Sequence, residues 1–383
     1  MNNIRRRVIG LPWFICAVLD IVPRSIEWSD HTLHNFFYRI GSGGADYLRI
    51  FPIWEDGLLP CRKQPGGKWS WKVWNLDYFR ALKRVCEAAY AWKIGIYFDL
   101  FDHCGTKGDN KLWNPWYNNE QGIEGIYETS DKAIKYYKRW IKKIWGVVGK
   151  QGYFTGKNGV KRKLRPNLFG LGNELDSRGT WGGSNQYHQW GYKWGYGLAE
   201  YLWRLGYRKE ILWSAEEKTG HVLRGYLDKS DPWVKRYVPD CPFGKKDTVM
   251  QYHGWINRLT EGVEEVVTTT HIRKIAYSDD GVNYKWDGDG ICVEQDGVKK
   301  YCSADTSTVI RLCRYIHEHL PHLYQFHHIE QLPRSVSEAG QSLDDLNQHR
   351  DVNIYRRIAK RVWGVDITRQ YPQWLKDRHG IKE

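Results

Sequence analysis

Asn173 and Glu174 close the run NLFGLGNELD at 167–176. The apolar stretch at 168–171, bounded by Pro166 and a polar loop, reads as a buried strand. An amide and a carboxylate then fall at its C-terminal tip, the end that carries chemistry in a parallel α/β barrel. A second acidic pair, Asp279 and Asp280, follows the short run at 273–277 and precedes Gly281. Two carboxyls at one mouth can act as proton donor and as base or nucleophile. The ends of the other apolar runs add Arg49, His103, Glu216, Tyr252, His253, His328 and Glu330. Strand centres are otherwise mostly apolar, so this clustering of polar residues carries information.

The elements that must position these residues alternate along the chain. Strands are expected at 8–19, 45–52, 94–101, 168–174, 211–215, 247–253, 273–277 and 323–328. Helices are expected at 30–40, with Ser29 or Asp30 as N-cap, and at 76–93, 130–148, 187–205, 221–227, 261–270, 306–320 and 344–363. Residues Phe79, Leu82, Val85, Cys86, Ala89 and Trp92 recur at helical steps, as do Ile134, Tyr137, Trp140, Ile141 and Ile144. Eight alternating βα units predict a (β/α)8 TIM barrel with long aromatic βα loops, forming one domain over 1–383. The competitor is an open doubly wound sheet, but no GxGxxG or P-loop follows the first strand. Within 281–304, the runs 291–294 and 298–302 flank Asp296 and Gly297 as a β-hairpin inserted after strand seven. That hairpin would set Cys292 and Cys302 nearly opposite each other, either as two thiols or as a disulfide. The Asp287 to Gly290 stretch lacks the later ligands of a calcium loop and reads as turn chemistry.

Length and composition bound the class. A chain of 383 residues buries a large core without a metal or disulfide staple. Its eight cysteines show no CxxC or zinc spacing, fitting a reduced chain with no metal and no cofactor. The net charge of +14 suits acidic partners or simply solubility. The basic cluster at 157–163 with Arg165 has no nucleic-acid fold around it, so no nucleic-acid partner is expected. Arg5, Arg6 and Arg7 before an apolar run imitate a leader. However, Pro12 and Trp13 interrupt that run, no A-x-A site follows, and the barrel needs the segment as its first strand. No run is long enough to span a bilayer. A monomer with no membrane association, cytoplasmic or released by lysis, is expected.

Taken together, Arg49, His103, Asn173 with Glu174, and Tyr252 with His253 resemble the pattern of the clan A glycoside hydrolases, the cellulase and family 5-like enzymes. The resemblance covers nearly the whole chain in element order. It implies a glycosidase that cleaves O-glycosidic bonds of a polysaccharide or oligosaccharide. Glu174 would be the general acid/base, its pKa raised by burial against aromatic walls. Asn173 would bind the hydroxyl next to the reacting carbon. Arg49 would hold the strand-seven carboxylate ionised, with Tyr252 hydrogen-bonding it, and His103 and His253 would bind sugar hydroxyls. The departure is at strand seven, where the family has Glu and this chain has Ser278, Asp279, Asp280 and Gly281. Aligning the glycines puts Asp279 at the nucleophile position. Retention needs carboxyls about 5–5.5 Å apart and inversion about 6.5–9.5 Å, and Asp is one methylene shorter than Glu. The site then retains with an adjusted strand, inverts, recruits Glu216 or Glu330, or is silent.

Trp54, Trp255 and Trp286, with Trp69, Trp71, Trp113, Trp116 and Trp181, follow strands and would crowd the same face. Flat rings suit the C–H faces of pyranoses and equally suit packing of long loops. Two further readings stand beside the glycosidase. One is a catalytically inactive glycan-binding barrel. The other is a metal-dependent hydrolase built on His103, His253, Asp279 and His328, which lacks a close ligand pair after strand one.

Overall fold

The computed structural model describes residues 11, 13–18, 21–53, 58–102, 113–126, 128–149, 152–173, 194–195, 197–208, 211–216, 248–253, 265–268, 283–287, 290–295, 298–302, 325–330 and 354–382. For the strands between 211 and 330, and at 17, 102, 173, 354, 357 and 358, the description is of the backbone.

The first strand, β1 (Trp13–Val18), is followed by helices α1 (Ile21–Glu27) and α2 (Asp30–Ser42), then by β2 (Tyr47–Ile50). Ser29 caps α2, its side chain accepting the Thr32 N–H at 3.0 Å. A hairpin of β3 (Cys61–Lys63) and β4 (Trp69–Trp74) leads to α3 (Leu76–Ala91), capped by Asn75, and to β5 (Gly95–Asp102). Helix α4 (Asp131–Ile144), capped by Ser130, runs into a π-helical turn at Trp145–Gly149. A short hairpin of β6 (Tyr153–Thr155) and β7 (Lys161–Lys163) precedes β8 (Leu168–Asn173) and α5 (Gly197–Arg204). Then come β9 (Ile211–Glu216), β10 (Thr248–His253), β11 (Glu265–Thr268), β12 (Asn283–Asp287), β13 (Gly290–Gln295), β14 (Val298–Cys302) and β15 (Gln325–Glu330). Helices α6 (Ile354–Trp363) and α7 (Gln373–Arg378) complete the described elements.

Eight of these strands form one parallel sheet in the order β1-β15-β11-β10-β9-β8-β5-β2, and β1 pairs with β2 as well as with β15. The helices bury their apolar faces on the outside of that sheet. Trp140 of α4 lies 6.3 Å from Phe98, and Tyr137, one turn earlier, lies 5.2 Å from Phe101. Helix α4 thus runs antiparallel to β5, with its first turn at the strand's C-terminal end. On the opposite face of the sheet, Ile15, Tyr47, Tyr97 and Leu168 form a separate buried cluster against Trp13. Their two-residue alternation defines the inward positions of β1, β2, β5 and β8.

Three expectations are corrected. The seventh strand of the sheet is β11, not 273–277, and it occupies part of the stretch read as a helix at 261–270. Its residues EVVT are β-branched in three of four positions, and such side chains lose χ1 freedom in a helix and pack well on a pleated surface. Residues 273–277 lie outside the described residues. The excursion after strand seven holds three antiparallel strands, β12, β13 and β14, rather than a hairpin alone. Its register pairs Cys292 with Tyr301 and Cys302 with Ile291, so the two cysteines are not cross-strand partners. The aromatic loop after β2 is in part a core element. Trp71 of β4 is 0% exposed and stacks on Trp116, which is 1% exposed, with centroids 3.5 Å apart at 18°. Its indole N–H donates to Pro115 O at 2.9 Å. Neither ring is a sugar platform.

Among the described residues, Cys16, Cys61 and Cys86 are buried, and burial pushes the Cys86 thiol up to about 12. No described helix is long and apolar enough to cross a membrane.

Candidate functional site

The parallel pairings carry the C-terminal ends of the strands to one rim of the sheet. Register sets Asp102 beside Asn173, His253 beside Glu216, and Val18 beside both Ile50 and Glu330. Asn173, Glu216, His253 and Glu330 are therefore the last residues of β8, β9, β10 and β15 at that rim, with Tyr252 one residue and His328 two residues before the ends of their strands. Strand β11 reaches the same rim at Thr268, and its one carboxylate, Glu265, is its first residue. Trp286 lies on β12, in the three-stranded antiparallel sheet and not in the parallel one. Trp54, His103, Glu174, Trp255, Asp279 and Asp280 lie outside the described residues.

Below the rim, the inward positions of β2 and β5 hold a buried ion pair. Arg49 donates through Nε to Asp99 Oδ2 at 2.6 Å, and its Nη2 lies 2.6 Å from the same oxygen. Both side chains are 0% exposed. The guanidinium also sits 4.7 Å from the Phe51 ring centre and 5.1 Å from that of Tyr97, a cation–π cradle. Burial holds the Tyr97 phenol well above its usual range; Arg49 opposes this and Asp99 reinforces it, so the phenol stays protonated. On β8, Gly170 leaves the space these groups occupy. A Cβ there would collide with Asp99 Oδ1 and stand 2.9 Å from the Tyr97 hydroxyl. A glycine inside a strand often marks such a close approach. Strand β8 thus reaches the rim beside a charged layer built by its neighbour β5 and by β2, one strand further on.

This layer can orient groups and fix the local field. The expected partner of Arg49 is the strand-seven carboxylate; among the described residues its partner is Asp99 of β5. The signal that could have paired them is their common inward parity, through the register Arg49 to Tyr97 and Asp99 to Gly170. Among the described residues, no three His, Cys, Asp or Glu side chains converge as a metal site.

No protein-family model matches the chain, and no curated protein matches it in sequence. Solved structures do match it in shape. A GH5_18 protein from Bifidobacterium longum subsp. infantis aligns with a TM-score of 0.51 at 13% identity, over 93% of this chain and 79% of that one. GH5_18 from Streptomyces cattleya, in complex with GlcNAc, aligns with a TM-score of 0.50 at 11% identity, over 92% of this chain and 80% of that one. A variant of the latter in complex with Manb1-4GlcNAc aligns over 64% of this chain and 52% of that one, with a TM-score of 0.40. The first two of these neighbours are TIM-barrel glycoside hydrolases. At these identities, what the chain shares with them is the fold.

Proposed function

We propose that residues 1–383 form one (β/α)8 barrel that acts as a glycoside hydrolase on a polysaccharide or oligosaccharide. The observation that carries this reading is the row of polar strand ends, Asn173, Glu216, Tyr252, His253 and Glu330, at one rim of a parallel sheet shared in fold with GH5_18 proteins. Position 174 follows Asn173 and has the parity of the inward residues Leu168 and Gly170. In this reading Glu174 is the proton donor and later the base. The role requires it to be protonated near neutral pH, which burial of a carboxyl brings about. Asn173 holds the adjacent sugar hydroxyl, and His103 and His253 bind others. Arg49, already neutralised in part by Asp99, sets the field beneath the site. In this reading the second carboxylate is Asp279 or Asp280, which follow β11 in the sequence, with Glu216 at the end of β9 or Glu330 at the end of β15 as the alternatives. Trp54, Trp255 and Trp286 supply stacking faces for the sugar.

A second reading, a barrel that binds glycan without cleaving it, is favoured by one feature: β11 ends at the rim in Thr268 and not in a carboxylate. A single set of assays separates the two. Glu174→Gln, Asp279→Asn, Asp280→Asn and Glu216→Gln are compared with the unsubstituted chain on a panel of β-linked glycans. Removing a general acid lowers turnover by about 10²–10⁴-fold. Loss in Glu174→Gln and in one of the other three variants supports hydrolysis and identifies the partner acid. Glycan binding by the unsubstituted chain without any turnover establishes the binding barrel instead.

A further inference from the structure

Outside the rim, α4 presents a surface that the proposed catalysis does not use. Of its 14 residues, six are basic and one, Asp131 in the first turn, is acidic. The exposed side of this helix and Lys72 of β4 line an open groove of about 730 Å³. Its cations are Lys72, Lys135, Lys138, Arg139 and Lys142, and its one carboxylate is Asp131. Arg139 is anchored, donating to Trp71 O at 3.1 Å and Lys72 O at 3.2 Å. Among the described residues, Lys72, Lys135, Lys138 and Lys142 stand in no ion pair. Like charges at i,i+3 and i,i+4 oppose helix formation, so α4 carries a repulsion that an anion lying along it would relieve. Two half-buried tyrosines, Tyr136 and Tyr201, share the groove, and Lys138 sits 5.6 Å from the Tyr201 ring centre. The groove starts at the helix end nearest the rim, because α4 runs antiparallel to β5.

We infer that this groove is a secondary binding surface for an anionic polysaccharide, which it holds alongside the barrel as the strand leads to the rim. The lysines face carboxylate or sulfate groups, and the tyrosine rings lie against sugar faces. The choice of a polysaccharide among polyanions rests on the glycosidase reading above, while the basic groove itself does not.

The test is affinity electrophoresis of the full chain in polygalacturonate, at low and at high salt, beside neutral dextran and a single-stranded oligodeoxynucleotide of matched charge. The unsubstituted chain is expected to be retarded by polygalacturonate at low salt and released at high salt. Lys135→Glu/Lys138→Glu/Lys142→Glu should weaken that binding by about a hundredfold or more, the product of about fivefold for each of three basic residues facing an anionic chain. A Gln triple variant gives the same reading, by a smaller loss, should the charge reversal fail to fold. Unchanged binding in both triple variants, no salt-dependent retardation of the unsubstituted chain, or tighter binding to the oligodeoxynucleotide would each overturn the assignment. Turnover of neutral oligosaccharides is left intact by the triple variants. A chain that binds polygalacturonate through these lysines yet cleaves no glycan would refute the catalytic reading and leave the surface standing.

Discussion

Replacing Trp71 decides between two uses of an aromatic residue in a loop that follows a strand. Its ring is 0% exposed, stacks on Trp116 at 3.5 Å, and meets Trp74 and Trp140 edge-on at 6.1 and 5.8 Å. Truncating a buried Trp to Ala costs about 3–5 kcal/mol, and here it also leaves Pro115 O without the indole N–H. An unfolding entropy of about 2.1 cal/mol/K per residue gives ~0.8 kcal/mol/K over the whole chain, so a loss of about 4 kcal/mol lowers Tm by about 5 °C. Trp71→Phe keeps a ring against Trp116 and loses the hydrogen bond, for a fall of about 1–2 °C. Differential scanning calorimetry reads both values, and a glycan titration on the same samples reads affinity. A Trp71→Ala variant with wild-type Tm and weakened glycan binding would refute the packing argument and return Trp71 to the binding face.

Asp46→Ala should destabilise the fold by about 3–5 kcal/mol in chemical denaturation, because Arg165 and Arg369 would lose a carboxylate that is itself fully buried. Gly170→Ala should cost about 1–3 kcal/mol by overpacking against Asp99 and Tyr97; an unchanged denaturation midpoint would show that the charged layer has slack. His34 and His379 stack at 3.7 Å, and Trp92 Nε1 donates to His34 Nδ1 at 3.1 Å. Burial, helped by His379 and by Arg84 and Arg378 against the opposing pull of Asp30, pushes His34 down to about 4. Burial and Arg378 lower His379 as well. The neutral rings thus contribute stability that is complete above about pH 6.5 and lost as pH falls towards 4. His34→Gln, which keeps an acceptor for Trp92, should flatten that part of the stability–pH curve.

The sheet was legible wherever a strand is a compact apolar run between breakers. Residues 95–102 and 168–173 need only their own composition to be read. The cap at Ser29, expected there or at Asp30, was equally local, since a short side-chain oxygen before an amphipathic run has one good use. Strand β11 was not legible, because EVVT is short, begins with a charge and continues into threonines, while RKIAY at 273–277 carries the better local pattern. Burial of Trp71 and Trp116 was hidden for another reason. Position after a strand predicts which end of the barrel a loop occupies, but whether its rings face solvent depends on partners from three separate segments. The rim was legible as a set of residue types, because polar residues at the ends of apolar runs are few. The pairing of Arg49 with Asp99 needed the inter-strand register, which no single segment contains.

Asp46 ties the first strand to residues far along the chain. Its carboxylate accepts the Phe14 N–H at 3.0 Å, binds Arg165 at 2.7 Å and receives Arg369. Beside it, the Tyr371 hydroxyl donates to Trp92 O at 2.5 Å, and Ile367, Leu375 and Ile381 are buried in the same core cluster as the first strands and helices. A nascent chain emerging from the ribosome would therefore hold its first half with an open, partly charged seam until residues 365–382 arrive to seal it. Trimming that segment, or pulling on it, is the most direct way to unlock the molecule from the end opposite its rim.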